Sequence, residues 1–233
     1  MQPIADGLWR WTARHPGWTP QQGGPAGWDA EVASVYVGSE DAVVLIDPLV
    51  PGEPDARARF WRALDGDLDR LSDRPLVVLL SCPWHRRSAA DVAARYAARP
   101  GTRVLAHAEG VPFLAELDAA PVRERDPLPG GVEGRLVRGN EPVELVFWIP
   151  AHEALVVADA LIGAGGGCLR LCPTAWLGGA EEGRERWRSQ LRPCLAELLD
   201  LPIRRVLPSH GEPVLAGGRD ALAEALDAPP WGE

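Results

Sequence analysis

The strongest constraint on the fold is a set of continuous apolar runs, each ending in a polar turn. Ala42 to Ile46 runs into Asp47-Pro48, and Leu76 to Leu80 runs into the turn Ser81 to Arg87. A strand that is apolar at every position is typical of a sheet buried on both faces, whereas an alternating strand leaves one face to solvent. The core is therefore expected to consist of sheets covered on both sides.

Helical segments separate these strands. An apolar stripe at three- and four-residue spacing predicts a first helix and is formed by Phe60, Trp61, Leu64, Leu68 and Leu71. A second helix is expected after Ser88, with Asp91 completing a capping box. A third is expected at 181–199, bent at Pro193, and a fourth at the C-terminus.

The second half of the chain repeats this alternation. Strands are predicted at 143–149 and 154–159, joined by a tight link into a hairpin, and again at 204–207. Residues 118–131 are rich in proline, glycine and charge and are predicted to form a loop. The pattern indicates two similar α/β halves packed as one domain over residues 1–233.

Charge and cysteine usage restrict the partners and the compartment. The net charge is -9 and every basic residue is arginine. A negative surface repels phosphate backbones and anionic lipid, so no nucleic-acid or membrane partner is expected. No apolar run approaches the roughly 20 residues of a membrane span, and the N-terminus does not resemble a signal peptide. The four cysteines form no Cys-x-x-Cys pair, so a cytoplasmic protein with reduced thiols is predicted.

Short motifs follow the predicted strands in a recognisable order. They are Leu45-Ile46-Asp47, Ser81 through Ser88, Ala158-Asp159 and Leu207-Pro208-Ser209-His210-Gly211. This order resembles the metallo-β-lactamase fold superfamily, which has Thr-His-x-His-x-Asp-His in the second place and Leu-Pro-Gly-His-Gly in the last. The resemblance covers roughly residues 30 to 215. It implies an α/β fold of the αββα type, a four-layer sandwich of two mixed sheets flanked by helices, among relatives that are hydrolases.

Most positions that the resemblance assigns to metal ligands carry other residues. The superfamily binds one or two zinc ions through histidine and aspartate side chains. The altered positions, with Ser81 placed on the motif threonine, are Cys82, Trp84, Arg86, Arg87 and Asn140. Only Asp159 and His210 keep the family residue. A protonated guanidinium cannot coordinate zinc, so ordinary di-zinc hydrolysis is not expected.

The favoured interpretation is a degenerate member of the superfamily that has lost the catalytic zinc site. No cofactor is predicted, and the purified protein should carry well under one equivalent of zinc, iron or manganese. It would act as a small-molecule binding or structural relative, with a cleft lined by Trp84, His85, Arg86 and Arg87. An anion is the expected ligand class, because an arginine pair can hold a carboxylate or phosphate by bidentate hydrogen bonds.

Two alternatives keep the protein a hydrolase with an atypical site. In the first, a shift of register brings in His85, and one zinc ion is held by Cys82, His85, Asp159 and His210. In the second, Cys82 and His85 form a metal-free nucleophile pair beside the two arginines. The candidate catalytic residues are His85, Asp159 and His210, and whether any catalysis remains is left open.

Removal of zinc would leave Asp159 as a partly buried carboxylate, which is costly unless it is paired. Arg86 or Arg87 is predicted to donate a hydrogen bond to it, with His210 beside the pair.

A further feature is the crowding of Trp9, Trp11, Trp18 and Trp28 in the N-terminal segment. Core packing, a wall over the cleft and a dimer contact are all open interpretations of these indoles.

Overall fold

Seven strands form the first sheet, in the order in which they occur along the chain. In this computed structural model, which describes residues 1–24 and 27–229, they are β1 (Gln2–Ala5), β2 (Leu8–Arg14), β3 (Glu31–Gly38), β4 (Val43–Ile46), β5 (Leu76–Leu80), β6 (Arg103–His107) and β7 (Ala119–Val122). Neighbours from β1 to β4 are antiparallel, and those from β4 to β7 are parallel. The sheet is therefore mixed.

Five strands form the second sheet. The strands of this half are β8 (Pro127–Leu128), β9 (Val132–Val137), β10 (Glu144–Ile149), β11 (Ala154–Val157), β12 (Leu161–Gly165), β13 (Cys168–Leu171) and β14 (Arg205–Pro208). The sheet order is β14-β11-β10-β9-β8, with β11 and β14 parallel, while β12 and β13 pair separately as a hairpin.

Five α-helices complete the described elements. They are α1 (Pro54–Arg70), α2 (Ala89–Arg95), α3 (Ala180–Arg186), α4 (Arg192–Glu197) and α5 (Gly218–Asp227). A π-helical turn, Trp187–Leu191, joins α3 to α4 just before Pro193. Proline has no N–H to donate within a helix, and a wide turn accommodates the missing bond. The bend predicted at Pro193 takes this form.

Three apolar clusters divide the molecule into layers. Phe60, Leu64 and Leu68 of α1 pack on one face of the first sheet, together with α2 residues. The opposite face packs against the second sheet, where Ile46 and Leu79 meet Phe147. The outer face of the second sheet is covered by the segment from α3 to α5, with Leu191 and Leu222 in the cluster. The predicted αββα sandwich of two mixed sheets is confirmed.

Some local predictions are wrong. The predicted loop at 118–131 contains β7 and β8, and two further hairpins, β1-β2 and β12-β13, were not predicted. Ser88 precedes α2, but its side chain makes no capping bond; its Oγ accepts a hydrogen bond from the backbone N–H of Val50 at 3.0 Å.

Among the described residues, no helix has the length and apolarity that a bilayer crossing requires.

Candidate active site

Four strand ends bring the motif residues together. β4 and β5 are parallel in the first sheet, as are β11 and β14 in the second. Asp47 follows β4, the turn Ser81 to Arg87 follows β5, Asp159 follows β11 and His210 follows β14. The carboxyl ends of neighbouring parallel strands lie at one sheet edge, which is where ligands bind in many α/β proteins.

Backbone hydrogen bonds join the two sheets at this edge. The Leu145 N–H of β10 donates to the Ser81 carbonyl at 2.8 Å, and the Ala33 N–H of β3 donates to the Ser209 carbonyl at 2.8 Å. The turns that carry the polar side chains are therefore tied to strands of the opposite sheet.

We call Asp47, His85, Asp159 and His210 the central cluster. His85 Nδ1 lies 2.8 Å from Asp47 Oδ2, and His85 Nε2 lies 3.2 Å from Asp159 Oδ1. His210 Nε2 reaches the same Asp159 oxygen at 3.0 Å. Sequence analysis named the last three residues as candidate catalytic groups, and the structure brings them into direct contact.

Opposing effects set the protonation of the central cluster. Burial and the Arg87 guanidinium lower the pKa of His85, but Asp159 and Asp47 outweigh them and bring it to about 9. Burial alone would raise the pKa of Asp159, yet charged His85 and the hydrogen bond from His210 hold it well below its usual range. Burial lowers the pKa of His210 despite Asp159. A raised pKa favours the imidazolium form of His85, in which both ring nitrogens can donate to the two carboxylates.

Arg87 is a partly buried residue that connects three segments beside the central cluster. Its Nη1 donates to the carbonyls of Ala33 at 2.7 Å and Asp47 at 3.1 Å, and its Nη2 donates to Ser209 Oγ at 2.6 Å. Its backbone has φ +37°, which a non-glycine residue adopts only when its surroundings impose it. Arg87 thus ties β3, the turn after β4 and the turn after β14 into one unit.

The predicted arginine–Asp159 hydrogen bond is wrong. Within the described part of the chain, Asp159 takes its side-chain hydrogen bonds from two histidines, and Arg87 bonds elsewhere. Arg86 Nε instead contacts Glu116 Oε1 at 2.9 Å, in a pair whose side chains are both about half exposed. The physical reason is that His85 lies on the buried side of the turn, so its ring occupies the space beside the Asp159 carboxylate.

Two altered ligand positions are used for other contacts. The Trp84 side chain is 56% exposed, packs against Phe113 and donates from Nε1 to the Glu141 carbonyl at 3.3 Å. Asn140 Nδ2 donates to Glu144 Oε2 at 2.9 Å. Neither side chain has a group in a ligand role.

Glu144 is a site residue that sequence analysis missed. It is fully buried and accepts hydrogen bonds from the backbone N–H groups of Ala158, Asp159 and Ala160 at 2.9–3.2 Å. Burial raises the pKa of Glu144 to about 7, and the charge of Asp159 adds to the effect. The only feature of the sequence that pointed to Glu144 was an acidic residue at the start of an otherwise apolar strand. Its role is to hold the loop that presents Asp159.

Cys82 lies close to the central cluster but is not an activated nucleophile. Burial and the carboxylates of Asp159 and Asp47 raise the pKa of its thiol well above the usual value. A reactive cysteine needs an electropositive surrounding that stabilises the thiolate. The arrangement therefore gives no support to the metal-free Cys82–His85 nucleophile pair.

A pocket of about 410 Å³ opens above the central cluster. Indole and imidazole rings of Trp28, Trp84, Trp176 and His15 form its walls. Its other lining residues are Val32, Cys82, His85, Arg87, Asn140, Glu141, Val143, Glu144, Asp159 and His210. Three of the four predicted ligand-binding residues line it, and Arg86 does not. Of the N-terminal tryptophans, Trp28 lines this pocket, whereas Trp11 packs on Phe60 in the core.

The zinc that the resemblance implies can be tested against these side chains. The superfamily arrangement does not fit, because Trp84 and Asn140 offer no suitable ligand and Arg86 points to Glu116. A different donor set does fit one ion. Potential ligand atoms of Cys82, His85 and Asp159 all lie within 4.8 Å of one another, and thiolate, imidazole and carboxylate are ligands that zinc accepts.

The charge on His85 predicts a loss of stability in alkaline solution. Its folded pKa of about 9 exceeds the unfolded value near 6.5, so its contribution is complete below pH 6.5 and disappears as the pH rises through 9. We expect metal-free protein to lose up to roughly 3 kcal/mol of unfolding free energy across this window. Urea unfolding in chelator at pH 7 and pH 9 measures it. A His85→Gln variant with the same pH slope as the wild type would contradict the assignment.

Comparisons with known proteins support the architecture. No protein-family model matches the chain, and no curated protein matches it. It is similar to a metallo-β-lactamase from Pontibacter korlensis, with 15% identity, 98% of each chain covered and a TM-score of 0.64. It is also similar to a metallo-β-lactamase family protein from Thermus thermophilus, with 18% identity, 98% of this chain and 86% of that chain covered and a TM-score of 0.60.

A third similar structure is metallo-β-lactamase FIM-1 from Pseudomonas aeruginosa in its mono-zinc form. The identity is 12%, the alignment covers 97% of this chain and 93% of that chain, and the TM-score is 0.59. These likenesses support the fold alone, since all three identities are 18% or lower. The chain therefore has the metallo-β-lactamase fold.

Proposed function

We propose that this protein binds a small molecule in the pocket above Asp159 and does not carry a di-zinc hydrolytic centre. The observation that supports the proposal is the pocket itself. It combines indole walls with a buried polar floor, and its volume is in the range of small-molecule sites. The proposal is also supported by the altered ligand positions, because exposed Trp84 has no metal-binding group and the Asn140 amide is bonded to Glu144.

The expected preference for anions has weaker support than the pocket. It depended on two arginines, and Arg86 is paired with Glu116 outside the pocket. Of the remaining positive groups in the pocket, His85 contacts the carboxylate of Asp159, and Arg87 bonds to Ala33, Asp47 and Ser209. We therefore propose a modest preference, of no more than about tenfold in Kd, for an aromatic carboxylate over its neutral amide.

A binding screen tests this proposal. Planar ligands are offered as matched carboxylate, amide and amine, in chelator, with thermal shift followed by calorimetry. Trp84→Ala should weaken binding about tenfold because it removes one wall of the pocket. Trp9→Ala is the matched control, since Trp9 is 37% exposed and lines a different groove. Equal losses in both variants, or no ligand in any class, would contradict the proposal.

A second candidate is hydrolysis at an atypical single-metal site, favoured by the proximity of Cys82, His85 and Asp159. A zinc ion bound there would supply a water molecule with a pKa of about 7. The chain's own contribution would be to orient the His85 ring through Asp47, to hold Asp159 through His210 and to limit water with the indole walls. Hydrolysis of ester, thioester or lactam substrates that requires added zinc and is lost in Asp159→Asn would support this candidate over simple binding.

A further inference from the structure

We propose that Cys82, His85 and Asp159 form a new single-ion site for a thiophilic divalent metal, with Asp47 and His210 as its outer partners. The proposal goes beyond ligand binding in the pocket. It departs from the favoured sequence interpretation, in which no metal site remains, and takes up the single-zinc alternative with His210 as an outer partner in place of a ligand. The supporting observation is that the donor atoms of these three side chains lie close together. Cys82 and His85 belong to the turn after β5, where the superfamily motif has different ligands.

The separations of the donor atoms suit one ion. His85 Nε2 is 3.2 Å from Asp159 Oδ1, and the Cys82 sulfur lies within 4.8 Å of the other two donors. Ligands on a tetrahedral zinc, with bonds of about 2.0–2.3 Å, lie about 3.3–3.8 Å apart. The three donors therefore need little movement to share an ion.

Two of the proposed ligands, His85 and Asp159, are already held in place by contacts with neighbouring side chains. Asp47 contacts His85 Nδ1 at 2.8 Å, which turns the lone pair of Nε2 toward the site once the Nε2 proton has left. His210 Nε2 contacts the Asp159 carboxylate at 3.0 Å. Metal-binding histidines and carboxylates are characteristically held by such outer hydrogen bonds.

The local charge also suits a divalent cation. Metal binding would release the proton of the Cys82 thiol and the Nε2 proton of His85. The Cys82 thiolate and the carboxylates of Asp159 and Asp47 would then carry three negative charges. A divalent ion and the Arg87 guanidinium balance them. Arg87 Nη2 lies 3.4 Å from His85 Nε2, but it has another acceptor in Ser209 Oγ at 2.6 Å, so an ion does not deprive it of a partner.

Cobalt titration of chelator-stripped protein tests the proposal. We expect one equivalent of Co²⁺ to give intense visible bands of a tetrahedral ion and a thiolate-to-cobalt charge-transfer band in the near ultraviolet. Zinc should displace it. Cys82→Ser should abolish the charge-transfer band, whereas Cys168→Ser, at an exposed cysteine, should leave it unchanged. No bands in the wild type, or a band lost in Cys168→Ser and retained in Cys82→Ser, would overturn the proposal.

A second variant keeps all three donors and tests the outer partner. Asp47→Asn places an amide group opposite His85 Nδ1 and disturbs the orientation and basicity of the ring. We expect Co²⁺ to bind about 10–100-fold more weakly with the same bands. Unchanged affinity in folded Asp47→Asn would overturn the role of Asp47. The small-molecule screen is run in chelator, so failure of the metal site and failure of the binding function are separate results.

Discussion

Arg87→Ala is expected to lower the free energy of unfolding by about 3–5 kcal/mol, whereas Arg86→Ala should cost no more than about 1 kcal/mol. The two guanidiniums are neighbours in sequence but differ in surroundings. Arg87 is partly buried and bonds to Ala33, Asp47 and Ser209, while Arg86 pairs with Glu116 in solvent. Alanine at 87 removes all three hydrogen bonds and leaves the carboxylate cluster with one positive charge fewer.

Urea unfolding of both variants in chelator, at one neutral pH, measures the difference. Circular dichroism of the native state shows whether Arg87→Ala still folds, and Arg87→Lys tests geometry, because lysine keeps the charge but loses the planar set of donors. Equal effects of the alanine substitutions at 86 and 87 would show that burial does not distinguish the two side chains.

Glu144→Ala is expected to cost about 3–5 kcal/mol as well. The carboxylate accepts three backbone N–H groups of the Asp159 loop, and each buried donor left without a partner costs about 1–3 kcal/mol. The lower part of that range applies because water can enter from the pocket and because a carboxylate with a raised pKa is itself destabilising. Urea unfolding gives the loss in free energy.

Glu141→Ala is the matched control for Glu144→Ala. Glu141 also lies beside the pocket, but its side chain is 72% exposed and contacts Arg186 at 2.9 Å, so its removal should cost less than about 1 kcal/mol. Glu144→Gln keeps one carbonyl oxygen and should fall between the two. A Glu144→Ala variant as stable as Glu141→Ala would show that the Asp159 loop does not depend on the buried carboxylate.

Much of the architecture could be predicted because local pattern and burial agree. The strand at 76–80 lies where the apolar run predicts it, and the hairpin of β10 and β11 forms across the predicted tight link. Short edge elements were missed. β7 contains Pro121, and β8 has only two residues, so neither carries enough pattern to be distinguished from a loop.

The site was only partly predictable. Asp159 and His210 could be assigned from motif order, and His85 entered as the residue recovered by a register shift. Glu144 and the side-chain role of Asp47 were missed, since the backbone groups that Glu144 holds are 14 to 16 residues away and His85 is 38 residues from Asp47. Hydrogen bonds at such separations depend on how two sheets pack, and no local pattern encodes that packing.

By itself, the sequence determined the apolar strands at 42–46, 76–80, 143–149 and 154–157 and the apolar stripe of α1. The resemblance implied the αββα layers and the departures from the superfamily's ligand positions. Periodicity and residue chemistry are local properties, so they can be read along the chain. The tertiary structure alone decided that Arg86 faces solvent while Arg87 turns inward, and that His85, not an arginine, contacts Asp159. The physical reason is that a tight turn directs adjacent side chains to different sides, and only the packing of the two sheets determines which side is buried.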